Sequence, residues 1–283
     1  MKTLVPATSQ DFLRELLSKA PKDIVKFSNK MIYGEQTKYV RVKIPDKFKR
    51  IEITMLTDVQ FGHEACQLDK VIKQIEWIKS NPRRFVLFGG DMIDAATSLS
   101  VASPYENTMN PFQQVVEFVR LLMPIRHRIL GYVGGNHEHR TKKLGDFSLG
   151  SFIASFLQIP YSHGKQIIDI NYGEHKTFMV DLWHGSGSAR TKGAKAQMLQ
   201  RFMQQGDSQL YLCGHLHDVV LLFDWRQKRH NGGIKLEKIA GVMSSSFLNY
   251  WNTYAEIAGL PPSDTMMARV ILEANGHWEV TLR

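Results

Sequence analysis

Ile129–Arg140 reads ILGYVGGNHEHR, and its two halves follow different rules. Ile129–Val133 is a mainly apolar run with the composition of a buried strand, and Gly134-Gly135 ends it. Asn136-His137-Glu138 then supplies only metal-ligating and acid–base side chains. Open α/β sheets build their ligand sites in this way, with polar groups carried at the carboxyl ends of buried strands.

Four other stretches repeat the pattern. Ile51–Leu56 (IEITML) leads into Thr57-Asp58-Val59-Gln60, and Phe85–Phe88 (FVLF) into Gly89-Gly90-Asp91. Phe178–Leu182 (FMVDL) leads into Trp183-His184-Gly185, and Leu210–Cys213 (LYLC) into Gly214-His215-Leu216-His217. Glycine lets the chain turn sharply and removes a Cβ that would stand between a polar side chain and a metal. His215 and His217, two apart, face one cavity if the segment is extended. Singly, each motif is an ordinary cap, turn or core histidine; five in succession point to a metal site. Carboxylate, amide and imidazole donors suit Mn, Fe, Zn or Mg. The two cysteines, Cys66 and Cys213, give neither a structural zinc site nor a disulfide framework.

Around these motifs, Leu68–Lys79 and Phe112–Leu122 have helical apolar spacing, with Val115, Val119 and Leu122 as core. Three hairpins follow: Lys165–Asn171 with Lys176–Leu182, Val219–Trp225 with Ile234–Ile239, and Met267–Glu273 with His277–Leu282. Strand–helix alternation first and hairpins later predict a mixed α/β layered sandwich.

Residues 51–283 are read as that domain and residues 1–50 as a basic N-terminal extension. The extension is expected to hold a helix over Asp11–Ala20, capped by Thr8 or Ser9, and a strand over Lys38–Ile44. It carries twelve Lys/Arg against five Asp/Glu, most of the net charge of +9. Such asymmetry suits a polyanion such as nucleic acid; a solvated basic face is the plainer reading. No run approaches the ~18 apolar residues of a membrane span. Met1–Leu16 lacks a signal-peptide core, so a soluble cytoplasmic protein is expected.

The ordered set Asp58-x-Gln60, Gly90-Asp91, Gly135-Asn136-His137-Glu138, His184 and Gly214-His215-x-His217 resembles the calcineurin-like metallophosphoesterases, whose pattern is D-x-H, GD, GNHE, H and GHxH. Gly89–Arg140 is most similar to phage- and prophage-type members described as exonuclease-like. The resemblance implies an αββα sandwich and two divalent metals, Mn foremost, with Mg, Fe and Zn as alternatives. It implies Asp58, Gln60, Asp91 and His217 on one metal and Asp91, Asn136, His184 and His215 on the other. Asp91 would bridge them with its two oxygens, and a water between the metals would be the nucleophile. His137 takes the place of the catalytic histidine, and Glu138 that of a residue orienting a histidine.

Gln60 departs from the family's histidine. Either its amide oxygen ligates, or His63 replaces it, or the first site is weakened. Arg140 and Arg190 are the candidate phosphate-binding residues, beside Lys142, Lys143, Lys192 and Lys195. Tyr250, Trp251 and Tyr254 are candidates for base stacking or core packing. His137-Glu138-His139-Arg140 lacks the four-residue histidine spacing of helical zinc proteases, and Gly185-Ser186-Gly187 lacks the third glycine of a nucleotide loop. The expected activity is hydrolysis of phosphodiesters in nucleic acid. A phosphomonoesterase acting on a nucleotide, metabolite or phosphoprotein, and a non-catalytic scaffold, are the alternatives.

Overall fold

The computed structural model describes residues 36–97, 100, 104–141, 148–251 and 253–283. The expected helix over Asp11–Ala20, most of the basic extension, and Lys142 and Lys143 lie outside these residues.

Two six-stranded sheets face each other. The first runs in the order β12 (Trp278–Leu282), β11 (Ala268–Glu273), β2 (Arg50–Leu56), β3 (Arg84–Phe88), β4 (Ile129–Val133) and β5 (Tyr161–Ser162). The second runs β1 (Tyr39–Lys43), β6 (Gln166–Tyr172), β7 (His175–Leu182), β8 (Leu210–Cys213), β10 (Gly233–Met243) and β9 (Val220–His230). Strand alternation assigns the layers. Ile51, Ile53, Met55, Phe85 and Leu87 point inward, against Ile168, Phe178, Val180, Leu210 and Leu212 of the other sheet. Leu56, Val86 and Phe88 point outward, beneath α1 (Leu68–Lys79), α2 (Pro111–Leu122) and α3 (Leu149–Leu157). Tyr211, Cys213 and Met243 point outward from the second sheet, beneath α4 (Lys192–Met203). The result is the αββα sandwich.

Local chemistry sets the boundaries. Asn110 caps α2 in a reciprocal capping box with Gln113, and Pro111 occupies the first turn. Thr191 caps α4 and Ser148 caps α3. Asn231 (φ 47°) and Gly232 (φ 78°) form the two-residue turn between β9 and β10. That turn lets each arm reach 11 residues, longer than the sequence spacing predicts. Tyr39–Lys43 pairs in parallel with β6 and so closes one edge of the second sheet. Among the described residues no helix is long and apolar enough to cross a membrane.

Strand direction positions the site. β2, β3 and β4 are parallel in one sheet, and β7, β8 and β10 are parallel in the other. Backbone bonds knit the loops at their carboxyl ends: Asp58 N–H donates to Gly90 O, Gly214 N–H to His184 O, and Phe247 N–H to Asp58 O.

One acid on β7 makes stability sensitive to pH. Asp181 is buried, and its Oδ1 has no hydrogen-bond partner. Burial pushes it up to about 6, against the pull of Lys165. A raised folded-state pKa means that the native chain binds this proton more tightly than the unfolded one. Stability from this group is therefore lost as pH rises through about 6. Asp181→Asn should raise the melting temperature at pH 7.5 and raise it less at pH 5. Melting curves at both values check this, and an equal gain at each would remove the titration as its cause.

Candidate active site

The backbone is held in an unusual state where the five motifs meet. Among the described residues eight other than glycine have positive φ, and five of them are Asp58, Gln60, Asp91, His215 and His217. Left-handed backbone is disfavoured for residues with a Cβ, so its concentration here marks a site shaped by something other than local preference. His215 and His217 therefore do not converge by strand alternation as the sequence predicts. Each curls through the left-handed region after β8 ends.

Each carboxylate has one oxygen tied to the protein. Asp58 Oδ2 accepts from Thr57 Oγ1 at 2.7 Å and from His215 N–H at 2.9 Å. Its Oδ1 is buried without a hydrogen bond and lies 3.2 Å from His217 Nε2. Asp91 Oδ1 accepts from His137 N–H at 2.8 Å, while its Oδ2 lies 3.2 Å from His184 Nε2. The oxygen of Asp91 that faces the centre is thus Oδ2 alone, not both oxygens. Glycine keeps the space open: a Cβ on Gly135 would fall 2.0 Å from Asp91 Oδ1, and one on Gly214 2.3 Å from Asp58 Oδ2.

Carbonyl groups fix the imidazoles. His184 Nδ1 lies 2.8 Å from Gly89 O; a carbonyl only accepts, so Nδ1 carries the hydrogen and, in the neutral ring, the lone pair sits on Nε2. That lone pair faces Asp91 Oδ2 and, at 3.2 Å, Asn136 Oδ1. Ligand atoms of Asp91, His184 and His215 all fall within 4.8 Å of one another. His217 Nε2 also lies 3.3 Å from the Gln60 amide nitrogen, and rotating that amide brings its oxygen to the same place.

His63 is engaged elsewhere. Its Nδ1 accepts from Ala65 N–H at 3.0 Å, and its Nε2 lies 3.5 Å from Glu106. Burial disfavours charge on Asp91, yet His137 and His184 hold it ionised well below the usual carboxylate range. Burial also opposes charge on His184, but Asp91 outweighs it and raises the imidazole to about 10. Lone pairs that converge on a point and a field that calls for positive charge there fit divalent cations.

His137 belongs to a separate system, one the sequence reading did not find. Its Nδ1 lies 2.8 Å from Asp94 O and 3.0 Å from Asp94 Oδ1. Asp94 Oδ2 accepts from Asn107 Nδ2 at 2.9 Å, and Asn107 Oδ1 accepts from Gln114 Nε2 at 2.8 Å. Gln114, on α2, also accepts from Ala95 N–H. The available signal was the acid three residues after Asp91 in Gly90-Asp91-Met92-Ile93-Asp94. Arg140 is drawn into this system: Nη1 donates to Asp94 O, and Nη2 lies 3.0 Å from His137 Nε2.

Glu138 does not orient a histidine. Its oxygens accept from the backbone N–H groups of Asp91, Met92 and Gly135 and from the Tyr132 hydroxyl. It clamps the bridging loop from below.

Beside the centre lies a cleft of ≈510 Å³, lined by His215 and His217 on one side. Leu248, Tyr250, Leu260 and Pro261 line it on the other, and Arg190 and Lys195 also border it. The segment that follows β10, which includes the short helix α5 (Tyr254–Ile257), supplies this second wall. The sequence reading raised Tyr250, Trp251 and Tyr254 as candidates. Tyr250 lines the cleft, and Trp251 packs edge-on against it.

Two facing sheets that deliver buried carboxylates, an amide and imidazoles to one edge, beside an oriented histidine, define a metal-dependent phosphoesterase. The chain belongs to the calcineurin-like phosphoesterase family, whose sequence pattern matches residues 51–219, more than half its length. It is accordingly an enzyme that hydrolyses phosphoester bonds. Comparison with curated proteins gives no match.

Solved structures of similar fold include a conserved protein of Streptococcus pneumoniae described as a predicted phosphoesterase. It is 14% identical, with a TM-score of 0.36, over 83% of this chain and 99% of that one. A Thermotoga maritima protein is 13% identical, with a TM-score of 0.34, over 82% and 98% of the two chains. Haemophilus influenzae NAD nucleotidase is 11% identical, with a TM-score of 0.36, over 82% of this chain and 49% of that one.

Glu138→Gln tests the clamp. It would turn an amide NH₂ toward groups that are themselves donors, at a cost of about 3 kcal/mol. The melting temperature should fall and retained metal should drop with it. Calorimetry and metal analysis check this, and an unchanged protein would remove Glu138 from the support of the centre.

Proposed function

We propose that the chain is a two-metal phosphodiesterase acting on nucleic acid. Its mechanism rests on the pairing of one free oxygen on each of Asp58 and Asp91 with oriented imidazoles. Asp58, Gln60, Asp91 and His217 would hold one metal, and Asp91, Asn136, His184 and His215 the other. Mn suits this mixture, because a neutral amide oxygen is a weaker donor than imidazole toward Zn or Fe. Two bound divalent cations neutralise the phosphoryl oxygens and make water acidic enough to attack at neutral pH.

The chain's own residues do the rest. Asp94 holds His137 Nδ1, which leaves Nε2 to pass a proton to the departing oxygen. Burial and Arg140 oppose a charge on His137, but Asp91 and Asp94 outweigh them and raise its pKa above the ordinary imidazole value. Arg140 Nη2, which can only donate, must leave Nε2 when that nitrogen carries the proton, and Arg190 meets a phosphate at the cleft. The basic residues before position 51 support a polyanionic substrate, and we infer that those preceding β1 help to hold it.

Bis(p-nitrophenyl) phosphate, p-nitrophenyl phosphate and a DNA ladder, each with Mn, test the reading. Diester and DNA cleavage are expected. Hydrolysis of the monoester alone would replace it with a phosphomonoesterase, and metal binding without turnover would replace it with a binding subunit. His137→Asn should keep wild-type metal content while diester turnover falls ~10²–10⁴-fold. Equal loss of metal would make His137 a ligand instead.

Gln60 and His63 are separated by titrating Mn into single variants. Gln60→Ala should raise the Mn concentration for half-maximal activity more than it changes the saturated rate. His63→Ala should leave that concentration near wild type, since both ring nitrogens of His63 already have partners. The reverse result would transfer the ligand to His63.

A further inference from the structure

The cleft beside the metal centre has chemistry that phosphate alone does not call for. Its far wall is largely apolar: Leu248, Ala255, Ala258, Leu260 and Pro261, with the Tyr250 ring. A small polar metabolite offers nothing to bury there, whereas a flat, weakly polar ring does. The volume of ≈510 Å³ accommodates one nucleoside with its phosphate, not a stacked pair of strands.

This wall is fixed to the reaction centre. Phe247 N–H donates to the carbonyl of Asp58 at 3.0 Å, and Asn249 N–H to Ala65 O at 2.9 Å. Tyr250 Oη donates to Leu260 O at 3.0 Å, and Ser245 and Ser263 share a hydroxyl bond of 2.8 Å across the segment. A group lying on the wall is therefore held in register with the metals.

The polar groups facing the cleft divide by whether they are already used. Lys195 is buried and pairs with Asp218 at 2.8 Å, so it is spent on the fold. Arg190 lines the cleft, is exposed, and has no partner among the described residues. The Asn249 side chain is exposed at the rim and likewise unpartnered, and its amide offers a donor and an acceptor side by side. An unpaired guanidinium suits a phosphate, and an unpaired amide suits the edge of a base.

Building on the phosphodiesterase reading, we propose that this cleft binds one unpaired nucleoside of the scissile phosphodiester. The base lies on the Tyr250–Pro261 wall, its edge meets Asn249, and Arg190 holds the phosphate. A base stacked inside a duplex cannot enter without leaving its stack, so the substrate is a strand end or a single strand.

Two diesters that share a leaving group isolate the nucleoside: thymidine 5′-(p-nitrophenyl phosphate) and methyl p-nitrophenyl phosphate, each with Mn. The nucleoside ester should be favoured in kcat/KM by ~10–100-fold, the range expected for one seated base. Ala258→Trp, which fills the cleft, and Asn249→Ala should each lower that ratio, Ala258→Trp most strongly. On oligonucleotides, single strands should be cleaved faster than blunt duplexes.

A ratio near one in the wild type, with the methyl ester hydrolysed, would overturn the nucleoside cleft and leave the diesterase reading intact. Hydrolysis of neither ester by metal-loaded protein would instead overturn the diesterase reading. A normal ratio in a folded Ala258→Trp protein would place the base outside the cleft.

Discussion

Asp58 and Asp91 are buried at 0% and 2% exposure at one edge of the sandwich, and against the cost of burial the neighbouring histidines hold both ionised. Two desolvated carboxylates so placed repel each other and each forgo hydration. The protein answers by dividing the labour between the oxygens of each group. One oxygen is bound to amide or hydroxyl hydrogens of the chain, and the other is turned toward imidazole and the metals. That division needs amides aimed inward from two other loops, those that carry His137 and His215. Those loops must leave parallel strands of two sheets at the same end, and the strand order supplies this. The glycines at 135 and 214 are required because the pinned oxygens occupy the space where a Cβ would stand.

The same constraint separates two kinds of histidine. His184 is oriented by the Gly89 carbonyl and directs its Nε2 to Asp91 Oδ2 and Asn136 Oδ1. His137 is oriented by Asp94, and its Nε2 lies 3.0 Å from Arg140 Nη2 and 3.6 Å from Asp91 Oδ2. A ring nitrogen committed to a hydrogen bond decides what the opposite nitrogen can do. Asn107 and Gln114 extend this control, tying the angle of His137 to the packing of α2.

Much of this was legible in the sequence where the physics is local. The strand over Ile129–Val133, the helix over Leu68–Lys79 and the hairpin of Met267–Glu273 with His277–Leu282 follow from periodicity and turn composition, and they stand where expected to within a residue. Asp58, Asp91, Asn136, His184, His215 and His217 could be named because each follows a strand end. The far wall could not. Residues 246–263 have no period, and they acquire a role only because Phe247 bonds to the Asp58 loop. α4 was read as scattered basic residues, since its buried face is confined mostly to Leu199, Phe202 and Met203. Asp94 went unnoticed because its partner lies 43 residues away. Glu138 was given a histidine to orient, but the groups it meets are backbone amides, which no side-chain motif displays.

The left-handed backbone at Asp58, Gln60, Asp91, His215 and His217 has a historical consequence. Each such residue costs roughly 1 kcal/mol or more against a relaxed conformation, and glycine would relieve it. Folding alone thus rewards the loss of these side chains one at a time. A lineage that stopped hydrolysing phosphoesters would gain stability as it drifted, and the donors would disappear before the core did. The strain these five residues carry together is a cost that the fold alone does not require.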